Sequence, residues 1–165
     1  MASHDLLISA AFQRMIREAD ISDLAMAARI HALQQAAYAV EAEHIGCADF
    51  PPLRETIEGL RRAKDRFLVS EVDGAVRAAL SFGRNGASVV VTRLVVSPEC
   101  FRRGIATALL RDLAKRVSSS TVIRAVTAEL NEPAIRCYAK QGYRVVTRTV
   151  SSEGIGLVHL EKRRQ

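Results

Sequence analysis

Two stretches of the chain carry residue types that could do chemistry. The first is Leu94-Val95-Val96-Ser97-Pro98-Glu99-Cys100-Phe101-Arg102-Arg103-Gly104-Ile105-Ala106-Thr107. An apolar, strand-like run passes through a short loop into the start of a helix. The first turn of such a helix leaves about four backbone N–H groups without partners, all pointing at whatever lies before it. Gly104 and Ala106 permit close backbone approach, and Arg102 and Arg103 add positive charge, so the segment can cradle an anion. No Gly-Lys-Ser/Thr follows it and no G-x-G-x-x-G is present, which excludes a Walker loop and a dinucleotide fingerprint. An ordinary loop with two solvated arginines explains the same residues equally well.

The second stretch is Asn131-Glu132-Pro133-Ala134-Ile135-Arg136-Cys137-Tyr138-Ala139-Lys140-Gln141-Gly142-Tyr143. Asn131 can cap a helix, Pro133 suits its first turn, and Tyr138 lies in its middle. Gly142 stops that helix and Tyr143 leads into a strand. Alone, this reads as a capped helix with a half-buried tyrosine.

Other chemistries find less support. Cys47, Cys100 and Cys137 are widely spaced with no C-x-x-C pair, and His4, His31, His44 and His159 show no H-x-x-x-H spacing. Neither a disulfide framework nor a metal site is expected. Cys100 and Cys137 have no base partner visible in the sequence, so a covalent thiol mechanism is set aside.

The elements that must position the two stretches follow from periodicity and turn chemistry. Phe12 to Arg17 reads as a first strand. Ser22 caps a helix running to about Glu41, with Ile30, Leu33, Ala37 and Val40 at helical spacing. Gly46 to Pro52 breaks the chain, and Leu53 to Lys64 forms a second, shorter helix. Arg66–Val72 and Ala75–Phe82 form a hairpin about Asp73-Gly74, and Asn85-Gly86 makes a second tight turn. Ser88 to Val96 is the most strand-like run, rich in valine with little alternation, as in a strand covered on both faces. Gly104–Val117 is a helix with Ile105, Leu109 and Leu113 inward. Val122–Leu130 is a strand, Pro133–Gln141 a helix, and Tyr143–Val150 and Ile155–Leu160 the closing strands. The strand at 88–96 and the strand at 122–130 should be joined as a parallel right-handed crossover.

Length and charge set the outer bounds. The chain has 165 residues, 48% hydrophobic and 25% charged, which suits one globular domain. No run is long and apolar enough to span a membrane, and no basic flank marks a signal peptide, so a cytoplasmic protein with reduced thiols is expected. The net charge of +6 is uneven: residues 1–82 hold nine Lys/Arg against twelve Asp/Glu, whereas residues 83–165 hold fifteen against six. A basic half joined to an acidic half suggests one face that receives phosphate.

Taken together and in this order, the two stretches resemble the GCN5-related N-acetyltransferase (GNAT) superfamily. Gly104-Ile105-Ala106 matches the second half of its R/Q-x-x-G-x-G/A pyrophosphate loop. Asn131, Ala134, Tyr138, Gly142 and Tyr143 match every fixed position of N-x-x-A-x-x-x-Y-x-x-x-G-F/Y. Phe101 stands where the family's first Arg/Gln would be. The resemblance implies an α/β (α+β) domain over residues 12–165, with residues 1–11 as a short extension. Its fold would be a mixed, mostly antiparallel seven-stranded sheet, a parallel, splayed central pair and about four flanking helices.

The resemblance further implies acetyl-CoA as co-substrate in the cleft between the splayed strands. Leu94, Val95 and Val96 would pair with the pantetheine arm. Arg102, Arg103, Gly104, Ile105, Ala106 and Thr107 would hold the pyrophosphate, Asn131 would hydrogen-bond the arm, and Tyr138 would lie near the thioester sulfur. A primary amine of a small molecule or peptide would attack the thioester directly. An amine of pKa ~10.4 is neutral about once in 2,500 molecules at pH 7, so a base helps. The strand glutamate of some family members is Val90 here. The candidates are Glu129, near the end of the fifth strand, and Glu41, Glu43 and His44, where the family shapes its acceptor pocket. No metal, nucleic acid or membrane is expected, and a homodimer is compatible with the resemblance. The competing readings are a non-catalytic acyl-CoA-binding regulatory module and a nucleic-acid-binding domain, the latter weakened by the lack of a basic-aromatic run.

Overall fold

A computed structural model describes residues 15–163 of the chain. The described residues form one seven-stranded sheet: β1 (Ile16–Ala19), β2 (Arg66–Val72), β3 (Ala75–Asn85), β4 (Ser88–Val96), β5 (Val122–Ala128), β6 (Arg144–Val150) and β7 (Gly156–Arg163). The spatial order is β1-β2-β3-β4-β5-β7-β6. Every neighbouring pair is antiparallel except β4 and β5, which are parallel. The helices are α1 (Leu24–Ile45), α2 (Ile57–Arg61), α3 (Ile105–Arg116) and α4 (Glu132–Lys140). The mixed sheet, its parallel central pair, the crossover through α3 and the four helices agree with expectation.

Several boundaries differ, each for a local reason. The expected strand from Phe12 begins at Ile16, and residues 12–14, like the 1–11 extension, lie outside the described residues. Asp23, not Ser22, caps α1 by accepting the Met26 N–H at 3.1 Å, because Ser22 is occupied in donating to Asp20. The helix then continues four residues past Glu41 to Ile45. The single helix expected over Leu53–Lys64 is two elements. Pro51-Pro52 open a 3-10 turn ending at Arg54, Glu55 is extended, and Thr56 starts α2 by accepting the Gly59 N–H at 3.0 Å. The Asp73-Gly74 hairpin is as expected, both residues with positive φ. The second hairpin pairs Asn85 with Ser88, so its turn is Gly86-Ala87 rather than Asn85-Gly86. β5 stops at Ala128, where the Asn131 N–H turns back to the Ala128 carbonyl at 3.0 Å.

The sheet is covered on both faces, and side-chain parity assigns each residue to one. Ile30 and Leu33 of α1 and Leu60 of α2 pack with Phe67, Val69, Ala79 and Val95. Leu109 and Leu113 of α3 and Tyr138 of α4 pack with Leu68, Leu80, Phe82, Val89, Val91 and Ile123 on the other face. In β4 the parity changes partway: Val89 and Val91 face α3, yet Val95 faces α1. The register explains it, since Phe82 pairs with Val91 and Ser81 with Arg93, leaving Thr92 as an extra residue. This β-bulge flips the faces of everything after it and bends the strand. It also explains the weak alternation of the valine run.

The bulge coincides with the end of β4–β5 pairing. The parallel ladder joins Val89, Val90 and Val91 to Ile123, Arg124 and Ala125, and goes no further. Both strands continue, to Val96 and Ala128, with no pairing between them. A polar network holds the bend. Thr92 Oγ1 lies 2.7 Å from both Ser81 Oγ and Asp65 Oδ2, and Arg93 bonds to Asp65 at 3.1 Å and to Glu55 at 2.5 Å. Asp65→Asn removes the charge that faces Arg93 while keeping the side chain's size. A stability loss of about 1–3 kcal/mol is expected, read from the urea midpoint. An unchanged midpoint would show that the network does not hold the bend.

Candidate active site

Where β4 and β5 part, a cleft of about 300 Å³ opens, lined by residues of α1, the 51–54 turn, both strands, α4 and the loop before β7. Leu94, Asn131, Glu41 and Tyr138 from the expected site line it. Beyond Val91 the facing edges of β4 and β5 have no strand partner. An extended, amide-bearing chain suits such a gap, because it can supply the missing hydrogen bonds.

The expected anion cradle, residues 101–107, is not among the residues that line the cleft and forms the start of α3. Gly104 is the N-cap of α3 at φ +77°, and no side chain caps the helix. Arg102 has positive φ as well, at 63°. Ile105 is buried and anchors the helix end, whereas Arg102, Arg103 and Gly104 are exposed. Neither arginine makes an ion pair among the described residues. Other arginines of the basic half do: Arg93, Arg116, Arg124, Arg136, Arg148 and Arg163 each face a carboxylate.

Tyr138 is 4% exposed, faces Tyr143 edge-on with ring centroids 5.1 Å apart, and lines the cleft. Burial, reinforced by Tyr143, pushes its phenol far above the ordinary value. The group therefore stays an O–H donor throughout the working pH range. Cys137, its neighbour, has its thiol pushed up by burial and lies 4.0 Å from Thr107 Oγ1, an environment that suppresses thiolate chemistry.

Asn131 is committed to two protein partners. Its carbonyl accepts the Ala134 N–H at 3.2 Å, capping α4, and its side chain also hydrogen-bonds Glu41. The remaining base candidates separate. Glu41 lines the cleft; Glu43 and His44 are exposed on the last turn of α1 and are not among its lining residues. Glu129 is also outside the lining: it is exposed and paired with Arg148 at 3.2 Å, because β5 has already ended and its side chain turns towards Gly156. Val90 lies in the closed part of the seam, opposite Arg124.

The structure adds residues that the sequence reading missed. Tyr38 and Phe50, edge-on with centroids 6.1 Å apart, form an aromatic wall, and Pro51, Pro52 and Arg93 line the same space. The 51–55 segment is tied to α1 by Gln35, which donates to the Leu53 carbonyl at 3.2 Å, and by Gln34, which donates to Glu55 at 2.8 Å. His31 Nε2 lies 2.7 Å from the Glu55 carbonyl. The polar stripe His31-Gln34-Gln35, set among the apolar residues Ile30, Leu33 and Ala37, was the available signal. Burial pushes the Glu55 carboxyl up, but hydrogen bonds from Arg93 and Gln34 outweigh it and leave it below the ordinary range.

A Cβ at Gly104 would meet nothing within 4 Å, so its requirement for glycine is one of backbone conformation. Gly104→Ala is expected to fold with stability lowered by about 1–2 kcal/mol, the cost of a left-handed alanine. A thermal melt checks this, and an unaltered melting temperature would show that the loop relaxes to another conformation.

Comparison with known proteins agrees with this geometry. The sequence profile described as "Acetyltransferase (GNAT) domain" matches residues 52–164. The UPF0157 protein YqkA of Bacillus subtilis is 30% identical over 153 residues, covering 92% of this chain and 45% of that protein; the chain thus spans less than half of this relative's length. The PaiA N-acetyltransferase from Thermoplasma acidophilum, solved in complex with coenzyme A, superposes with a TM-score of 0.70 at 17% identity, covering 90% of this chain and 97% of that one. An N-acetyltransferase from Staphylococcus aureus Mu50 gives a TM-score of 0.70 at 20% identity, covering 92% and 98%. With a family profile matching two thirds of its length, seven strands in the expected order and a parallel pair that splays at its centre, this chain belongs to the GNAT acetyltransferase domain family.

Proposed function

We propose that the chain is an acetyl-CoA-dependent N-acetyltransferase that acetylates a primary amine, of a small molecule or a peptide, by direct attack. The observation that carries this reading is the seam opened by the Thr92 bulge, flanked by the uncapped first turn of α3 and by Tyr138. These residues fit the co-substrate. The free edge of Leu94, Val95 and Val96 would pair with its pantetheine arm. The N–H groups from Arg102 to Thr107, with the two unpaired arginines, would take its pyrophosphate. Asn131 has only its second amide N–H to offer the arm, since its carbonyl caps α4 and its first N–H donates to Glu41.

Bound there, acetyl-CoA supplies an activated acetyl thioester. The chain's own groups stabilise the charge that moves during transfer. A backbone N–H near Val95 or Val96 would face the carbonyl oxygen as it becomes an oxyanion. The Tyr138 hydroxyl would donate to the sulfur as it becomes a thiolate. An unperturbed tyrosine already lies about 1.5 pH units above a cysteine-like thiol, and burial widens that gap, so Tyr138 acts as a hydrogen-bond donor with late proton transfer. Tyr38, Phe50 and Glu41 would meet the acceptor, with Glu43 and His44 at the outer edge of α1.

Release of free thiol from acetyl-CoA with a panel of amines tests the activity. Turnover supports it, whereas tight cofactor binding with no turnover for any amine supports the regulatory-module reading instead. Two substitutions test the assignments within it. Tyr138→Phe keeps the ring and its packing, so a folded protein with near-normal acetyl-CoA affinity and a kcat lowered about 100-fold is expected. A loss under about threefold would make Tyr138 a packing residue. Replacing Arg102 and Arg103 together by Ala should weaken acetyl-CoA binding at low salt and flatten its decline with rising salt. If calorimetry finds the wild-type salt slope in that variant, the two side chains are merely solvated.

A further inference from the structure

An amine that reacts at neutral pH must first give up a proton, and two carboxylates line the cleft among the described residues, Glu41 and Glu153. Glu153 is exposed on the loop before β7 and already accepts from Ser152 at 2.9 Å, a hydrogen bond that holds its carboxyl below the ordinary range. Glu41 is placed differently. It lies in the last two turns of α1, half-buried, with no lysine or arginine paired to it among the described residues. Its partner is Asn131, which caps α4 through its other end. One asparagine therefore ties Glu41 to the helix that carries Tyr138, seven residues further on.

We propose that Glu41 is the base that takes the proton from the acceptor ammonium. The assignment rests on the proposed acetyl transfer. In the step, an N–H bond of the ammonium breaks and its proton passes to a Glu41 carboxylate oxygen. The freed nitrogen lone pair then forms the C–N bond to the thioester carbonyl carbon. The C–S bond breaks as the tetrahedral adduct collapses, the sulfur keeping the electron pair while Tyr138 donates to it. The second N–H proton of the new amide nitrogen is lost to solvent or to the thiolate, and Glu41 returns its own proton to water.

The surroundings suit that task. The charged and titratable groups around Glu41 are Tyr38 and His44 of its own helix, Tyr138 of α4, Arg93 of β4 and Glu153 of the rim. The two tyrosines are neutral, and the Arg93 charge is answered by Glu55 and Asp65. Burial pushes the Glu41 carboxyl up, and the Asn131 hydrogen bond and His44 only partly oppose it. A raised carboxyl is a stronger base and lies closer to the amine it must deprotonate. Its ionised form is lost as pH falls through that raised value, so kcat/KM should fall on the acid side.

The test uses Glu41→Gln, whose amide oxygen can still accept from Asn131, with two acceptors of nearly equal shape. Phenethylamine is protonated at neutral pH; β,β-difluorophenethylamine is much less so. Acetyl-CoA affinity by calorimetry should stay within about twofold. At pH 7 the variant should lose about 100-fold in kcat/KM for phenethylamine and little for the fluorinated amine, and the phenethylamine deficit should shrink as pH rises. Equal losses with both amines at every pH, or a parallel loss of acetyl-CoA affinity, would overturn the assignment and make Glu41 a positioning residue. Wild-type protein that releases no thiol with these two amines or with any other amine of the panel would overturn the transfer reading itself, and the assignment with it.

Discussion

One extra residue in a central strand governs this structure. Thr92 has no partner in β3, and its insertion turns the remainder of β4 away from β5 after three paired residues. In a parallel pair at the middle of a sheet, such a break would normally leave backbone groups without partners. Here it makes a seam that an extended ligand can fill. The same insertion reverses side-chain parity, sending Arg93 and Val95 to the α1 face and Leu94 and Val96 towards α3. Without it Arg93 would enter the apolar layer beneath α3, where an unpaired guanidinium would be very costly.

The bend and the Pro51-Pro52 wall of the cleft are held by one set of charges. Arg93 is braced between Asp65, at the start of β2, and Glu55, in the short extended link between the 51–54 turn and α2. Its guanidinium also lies over the Phe67 ring, 5.5 Å from the centroid. Glu55 is in turn held by Gln34 of α1. The bulge, the first helix and the Pro51-Pro52 wall are therefore tied to one another, although the walls of the cleft come from distant parts of the chain. On the other side, Asn131 links α1 to the cap of α4. Arg102 and Arg103, at the start of α3, carry no ion pair among the described residues, whereas Glu41 and Glu153 line the cleft.

Much of this was legible before any coordinates. The hairpin about Asp73-Gly74 follows from turn chemistry, α3 from Ile105, Leu109 and Leu113 at helical spacing, and its left-handed start from the glycine at position 104. Tyr138 was legible from its spacing to Asn131 and Gly142. The errors fell where side chains compete for backbone groups. Ser22 looks as good a cap as Asp23 until Asp20 occupies it. Leu53–Lys64 has a helical stripe, but Thr56 begins a new helix and Glu55 is drawn out to Arg93. The expected strand to Leu130 ends early, and the turn at Ala128 places Glu129 beside Arg148 on the surface.

By itself the sequence determined the order of elements, the crossover between β4 and β5, and the two local stretches whose chemistry depends on near neighbours. Those features rest on periodicity, caps and turns, which act over a few residues. Only the tertiary structure decided which strand residue bulges, where the parallel pair parts, and that Glu41 rather than Glu43, His44 or Glu129 lines the cleft. These depend on register between strands and on contacts such as Glu41–Asn131 and Arg93–Glu55, which join residues 90 and 38 positions apart. No local pattern encodes such pairings, because each is settled by the packing of helices that the sequence specifies only one at a time.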